Sequence, residues 1–266
     1  MLFALGWSVL PDQDMGPFQA VNPHDISEFI FTALLISYVA SLLNGLLDLR
    51  YGIVFTGVLG GFASSTATIH HLGEMNRVNP GLLHFASIGA LLSNVATLVQ
   101  MLVLTHLLEP QLFDVLTRPV IFGIAMLFLC ALLIHVWGHH DGLKASSGVQ
   151  FPFNWRSILY LAMLLLVVTV ITTGLSESFG ASGLLISALL SGVADAHSII
   201  AGVANMLKTH HVDLEDAKFA VLLAFSSNCA FKVVLAWKSG GRDFAKRIAF
   251  AIALCNLGVW LGAFWG

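Results

Sequence analysis

Eight apolar runs divide this chain, at roughly 27–48, 52–76, 81–108, 119–138, 156–175, 180–206, 214–237 and 244–264. Most reach the roughly 20 residues that an α-helix needs to cross a bilayer. In hydrocarbon every backbone N–H and C=O must be satisfied internally, so such runs fold as helices. Only 10% of the 266 residues are charged, against about 25% in soluble domains, and the mean hydropathy is +0.86. The expected fold is therefore all-α: a polytopic integral membrane helix bundle. No connection is long enough to form a soluble domain. All seven prolines (11, 17, 23, 80, 110, 119 and 152) fall outside or at the edges of the runs, as expected for a residue without an N–H.

The runs fall into two similar halves. Gly57-Val-Leu-Gly-Gly-Phe-Ala-Ser-Ser-Thr66 in the second run lines up with Ala188-Leu-Leu-Ser-Gly-Val-Ala-Asp-Ala-His197 in the sixth. A Ser-Asn pair follows in the middle of the next run in each half, Ser93-Asn94 and Ser227-Asn228. Small residues recur every fourth position, Gly57, Gly61 and Ser65 against Ala188, Gly192 and Ala196. That spacing makes one helical face on which a neighbour can approach closely. The expected organisation is an N-terminal extracytoplasmic or interfacial segment (1–26), membrane repeat 1 (27–138), a connecting loop (139–155) and membrane repeat 2 (156–266), in two pseudo-symmetric four-segment repeats. The second and sixth segments are interrupted by glycine and polar residues, which is the pattern of a transporter site between halves.

Charge tests the topology. If all eight segments cross, Lys and Arg divide almost evenly between the two sides. If the second and sixth enter and return, the halves are inverted. Arg50, Arg77, Lys144, Arg156, Lys238, Arg242, Lys246 and Arg247 then share one side, with Arg118, Lys208 and Lys218 on the other. The second distribution obeys the positive-inside rule with the N-terminus outside. The length of segments two and six argues the other way, since each could span.

Polar residues inside the runs are the candidate site. Asp195 lies near the middle of the sixth segment, where a charge is expensive and normally faces a cavity or a partner. Lys232 is its natural partner, one turn beyond Asn228 and on the same face. A structural ion pair between two helices is the alternative to a substrate or proton path. His197 joins Asp195 only if the backbone breaks at Gly192-Val-Ala-Asp. Ser64, Ser65 and Thr66 occupy the matching place in the first half. They can satisfy carbonyls freed by a break, replace an ion's water, or simply bond their own helix turn. Asn94 and Asn228, near the centres of segments three and seven, serve a shared site or act as interhelical glue. The expected pathway is thus Ser64, Ser65, Thr66, Asn94, Asp195, His197, Asn228 and Lys232.

Other chemistry finds little support. There is no nucleophile elbow, His-Glu-x-x-His motif or phosphate-binding loop, and no enzyme activity or cofactor is expected. Cys130, Cys229 and Cys255 are isolated in apolar runs and read as small buried hydrophobes. His135 and His139 stand one turn apart and could hold Zn²⁺, against a solvated interfacial role; metal binding stays open. Scattered Lys and Arg make no basic stripe for nucleic acid. The expected partners are the bilayer, a small ion or small molecule, and a second copy in a homodimer.

The strings Gly57-Val-Leu-Gly-Gly-Phe-Ala-Ser-Ser-Thr-Ala-Thr68, Leu190-Ser-Gly-Val-Ala-Asp-Ala-His-Ser198 and Ser227-Asn-Cys-Ala-Phe-Lys232, with the leader Val21-Asn22-Pro23, carry a resemblance. They resemble the uncharacterised membrane domain that accompanies the MgtC/SapB proteins, over residues 20–264. The resemblance implies a multi-pass protein of the bacterial inner membrane, of transporter or channel type, with Asp195, Asn228 and Lys232 at positions of the family pattern. The separate MgtC-like domain is absent, so magnesium-related roles are not carried over. His197 stands where a second acidic residue is expected, which leaves room for a substrate other than a cation. A non-transporting scaffold or regulatory subunit is the main alternative, and an intramembrane enzyme acting on lipid, with Asp195 and His197 as acid and base, is the lesser one.

Overall fold

The computed structural model describes residues 49–137, 184–194, 196–208 and 212–265, with isolated positions 13, 23, 38, 159, 163, 166 and 167. Segments 27–48 and 156–175, the loop 139–155 and the N-terminal 1–26 lie outside this set, apart from those isolated positions. The described residues form helices and connecting turns, without a strand among them. They are α1 (Leu49–Val78), a 3-10 turn (Pro80–Leu82), α2 (Leu83–Leu108), α3 (Pro110–Trp137), α4 (Leu184–Ala194), α5 (Ser198–Lys208) and α6 (Leu214–Phe264). By length and composition, four helices can cross a membrane: Tyr51–Val78, Pro80–Leu108, Pro110–Val136 and Leu214–Phe264.

Length does not settle the path. A straight α6 of 51 residues would run about 77 Å, far beyond a hydrocarbon core of about 30 Å. It is broken at Gly241, whose φ of 81° and ψ of −175° suit a residue without Cβ. The two arms, 214–240 and 242–264, lie antiparallel. Trp260 Nε1 donates to Ser226 Oγ at 3.1 Å, and Phe219 stacks on Trp260 with ring centroids 5.9 Å apart.

The path of α1 is more consequential. Inside it Ser64 adopts φ −162° and ψ 106°, an extended conformation that ends one helix and starts another. Gly89 of α2 reports the direction of the two arms. A Cβ there would lie 3.0 Å from the Ile53 carbonyl oxygen and 3.1 Å from Leu72 Cδ1. On a straight helix those two residues would be roughly 28 Å apart. Gly57, Gly61 and Ser65 meet Gly89, Ser93 and Thr97 in the same order, so the entering arm (49–63) runs parallel to α2. The returning arm (65–78) reaches α2 through the Asn79–Leu82 turn and runs antiparallel to it. The second hydrophobic segment therefore turns back at Ser64, and both its ends lie toward the N-terminal end of α2. The sixth segment is also broken, between Ala194 and Ser198, with His197 O accepting from Ile200 N–H at 3.0 Å.

One boundary departs from expectation. Pro119 lies inside α3, which begins at Pro110. Pro110 takes the first helical position, where an N–H has no partner to lose. The second arm of α6 passes close to Pro119 at Gly262, where a Cβ would sit 2.8 Å from Pro119 Cα.

A shared core of Leu72, Leu91, Leu98, Leu112, Phe225 and Phe244 joins α1, α2, α3 and both arms of α6. Cys130, Cys229 and Cys255 are buried within it as free thiols.

Candidate functional site: a polar centre at the tip of a folded-back helix

Breaking a helix in a membrane frees backbone groups that water cannot reach, and side chains must take them up. At the α1 tip they do. Ser64 caps the returning arm, its Oγ accepting from Ala67 N–H at 3.3 Å. Thr68 Oγ1 donates to the Ser64 carbonyl at 2.8 Å. The Phe62 carbonyl, near the end of the entering arm, accepts from Gln100 Nε2 at 2.8 Å. Close packing sets this depth: a Cβ at Gly61 would lie 2.6 Å from Ser93 Cα, and one at Gly57 would collide with the Gly89 backbone.

Behind the tip runs a chain of side-chain hydrogen bonds. Thr97 Oγ1 donates to Ser65 Oγ at 2.8 Å. Lys232 Nζ donates to Thr97 Oγ1 at 3.2 Å and to Asn94 Oδ1 at 3.2 Å. Asn94 Nδ2 donates in turn to Ala90 O at 2.9 Å. The chain ties α1, α2 and the first arm of α6 together near the middle of α2. Lys232 has 0% exposure. Taking an ammonium out of water costs several kcal/mol, which only good hydrogen bonds and compensating charge offset. The N-terminus of the returning arm adds partial positive charge at the same place.

The expected site residues divide accordingly. Ser65, Asn94 and Lys232 are joined through Thr97, and Ser64 stands next to Ser65 at the break, its bonds local to its own turn. Thr66 is buried in the first turn of the returning arm, and Asn228 is buried one turn before Lys232. His197 is half-buried in the turn between α4 and α5. Asp195 lies outside the described residues, so its expected pairing with Lys232 is not part of the described geometry. Ser227, beside Asn228, donates to the Leu189 carbonyl of α4 at 2.6 Å, and Gly192 packs against the Ala224 backbone. The broken sixth segment is thus seated on the first arm of α6. His135 faces His84 with ring centroids 6.1 Å apart, while His139 and His140 lie outside the described residues. Among the described residues there is no cluster of three metal-ligating side chains.

Sequence reasoning passed over Thr97 and Gln100. The available signal was spacing: Thr97 falls one turn after Asn94, and Gln100 one turn after Thr97, a polar stripe on an otherwise apolar helix.

A family model described as Domain of unknown function (DUF4010) matches residues 31–240. The chain belongs to this family. The DUF4010 region takes in α1 to α5 and the first arm of α6, hence the whole polar centre. An uncharacterized protein of Aquifex aeolicus (strain VF5) is 23% identical over 183 residues, covering 68% of this chain and 79% of that protein. No solved structure matches.

Proposed function

We propose that this DUF4010 protein is a transporter or channel that moves a small ion or small metabolite past the tip of α1. The observation that carries the reading is the fold-back at Ser64, which sets a broken helix end beside a fully buried Lys232 near mid-depth. Discontinuous helices meeting ionisable side chains are the means by which membrane carriers hold polar cargo without water. Ser64, Ser65, Thr66, Asn94, His197 and Asn228 would replace hydration, and Asp195 would bind a cation or proton or act as counter-ion to Lys232. No covalent step is assigned, so the protein is not read as an enzyme.

The same reading takes the two halves as inverted repeats. A second segment that turns back leaves three crossings in each half, provided the sixth does likewise. Localisation would be the bacterial inner membrane, and the family would be the membrane domain that accompanies MgtC/SapB proteins. We include a homodimer in the proposal, tested by mass measurement in detergent.

The test is flux in proteoliposomes under separate K⁺, Na⁺, Mg²⁺, Cl⁻ and pH gradients, for wild type, Asp195→Asn and Lys232→Met. A selective flux lost in both variants, with folding retained, is expected. Equal flux in all three, or flux in none with organic substrates also silent, would leave a scaffold whose polar centre is glue.

A further inference from the structure

We infer that the protein binds an anionic phospholipid in a cleft between α3 and the second arm of α6, a site separate from the polar centre. The cleft has a volume of about 260 Å³. Its wall is apolar, made by Leu133 and Ile134 near the C-terminal end of α3 and by Phe250 and Ala251 of the second arm. Lys246 and Arg247 line it on the side of the Gly241 turn, Lys246 one helical turn before Phe250. Lys246 is exposed and Arg247 half-buried. Neither takes part in an ion pair among the described residues, although Asp243 stands on the same arm.

The occupant follows from this split. An apolar wall offers a soluble anion no hydrogen bonds, and two cations at the opening offer an acyl chain alone nothing. An anionic phospholipid satisfies both, with one acyl chain along Leu133, Ile134 and Ala251 and its phosphate against Lys246 and Arg247. The end of the molecule is suited to it. The fold-back of α1 puts Arg50 and Arg77 at the same end as Lys238, Arg242, Lys246 and Arg247. By the positive-inside rule this is the cytoplasmic face, where basic pockets between membrane helices take lipid headgroups.

Native mass spectrometry of the purified protein, offered equal phosphatidylglycerol and phosphatidylcholine of the same acyl chains, tests this. Wild type should retain phosphatidylglycerol in preference by on the order of tenfold, given two basic side chains at the surface. Lys246→Gln with Arg247→Gln should bring the preference near unity, while Lys238→Gln with Arg242→Gln should keep it. The single changes Lys246→Gln and Arg247→Gln should each reduce it in part, which serves if the double variant misfolds. Leu133→Trp, at a half-buried position of the cleft wall, narrows the cleft but spares the charges, and should lower retention of phosphatidylglycerol several-fold. Equal retention of the two lipids by wild type overturns the proposal. So does a preference that survives the double change, or one lost equally in the Lys238/Arg242 pair, which would mean diffuse surface charge. Retention unchanged by Leu133→Trp overturns the part played by the cleft.

Discussion

At Lys232 the cost of burial opposes the worth of its hydrogen bonds, and that opposition makes a testable asymmetry. Lys232→Met removes the ammonium together with its desolvation cost, while the volume is largely kept. The loss includes leaving Asn94 Oδ1 and Thr97 with one partner fewer, about 1–3 kcal/mol before the desolvation relief. Asn94→Ala instead leaves the charge in place and takes away an acceptor, a loss of about 1.5–3 kcal/mol for a hydrogen bond to a charged group, with no desolvation relief. Thermal unfolding in detergent should therefore show Asn94→Ala well below Lys232→Met; the reverse order would mean that Lys232 is not held by this chain of bonds. Two glycines give a second comparison. A Cβ at Gly57 meets the Gly89 backbone, which cannot rotate away, so Gly57→Ala should destabilise by about 2 kcal/mol or more. A Cβ at Gly202 meets nothing within 4 Å, and Gly202→Ala should be neutral or stabilising by up to about 1 kcal/mol. Equal melting temperatures for the two would dismiss the close packing of α1 on α2.

At the scale of elements, the breaks matter more than the helices. Ser64 is at once the end of one helix and the cap of the next, and a residue with a side-chain acceptor is needed to take up an orphan N–H. Ser64→Ala should cost about 1 kcal/mol, and Ser64→Asp should keep the cap if charge is tolerated. The readout is stability together with flux: loss of flux without loss of fold would place the tip in the pathway. That α1 is interrupted was legible from Gly60-Gly61 followed by Ser64-Ser65-Thr66. Its turning back was not, because a run of this length spans as readily as it folds back. Pro119 shows the opposite error. A proline reads as a helix limit, yet α3 carries Pro119 internally, with the second arm of α6 packed close against it at Gly262.

For the whole molecule the fold-back decides topology. Cysteines introduced at Tyr51 and Arg77, both exposed, should react with a membrane-impermeant maleimide from the same side. One at Gln111, also exposed, should react from the other. The native thiols are buried and give little background. Labelling of 51 and 77 from opposite faces would require α1 to cross. The arrangement also places the basic residues together, so the end bearing Arg77 and Arg242 should be cytoplasmic.

What the sequence determined by itself was the solvent, the helical class and the residue types of the polar centre. Hydrocarbon admits only internally bonded backbone, and charge or amide within an apolar run is too costly to be incidental. What tertiary structure decided was partnership and direction. Asn94 and Lys232 are distant in sequence, and Thr97 looks like an ordinary helix residue bonding its own turn. Only the approach of α1 to α2 at Gly57 and Gly61, a contact between backbones, brings Ser65 to Thr97 and sets the chain of bonds that ends at Lys232. Periodicity encodes which face of a helix is small, but not which helix will meet it or in which direction that helix runs.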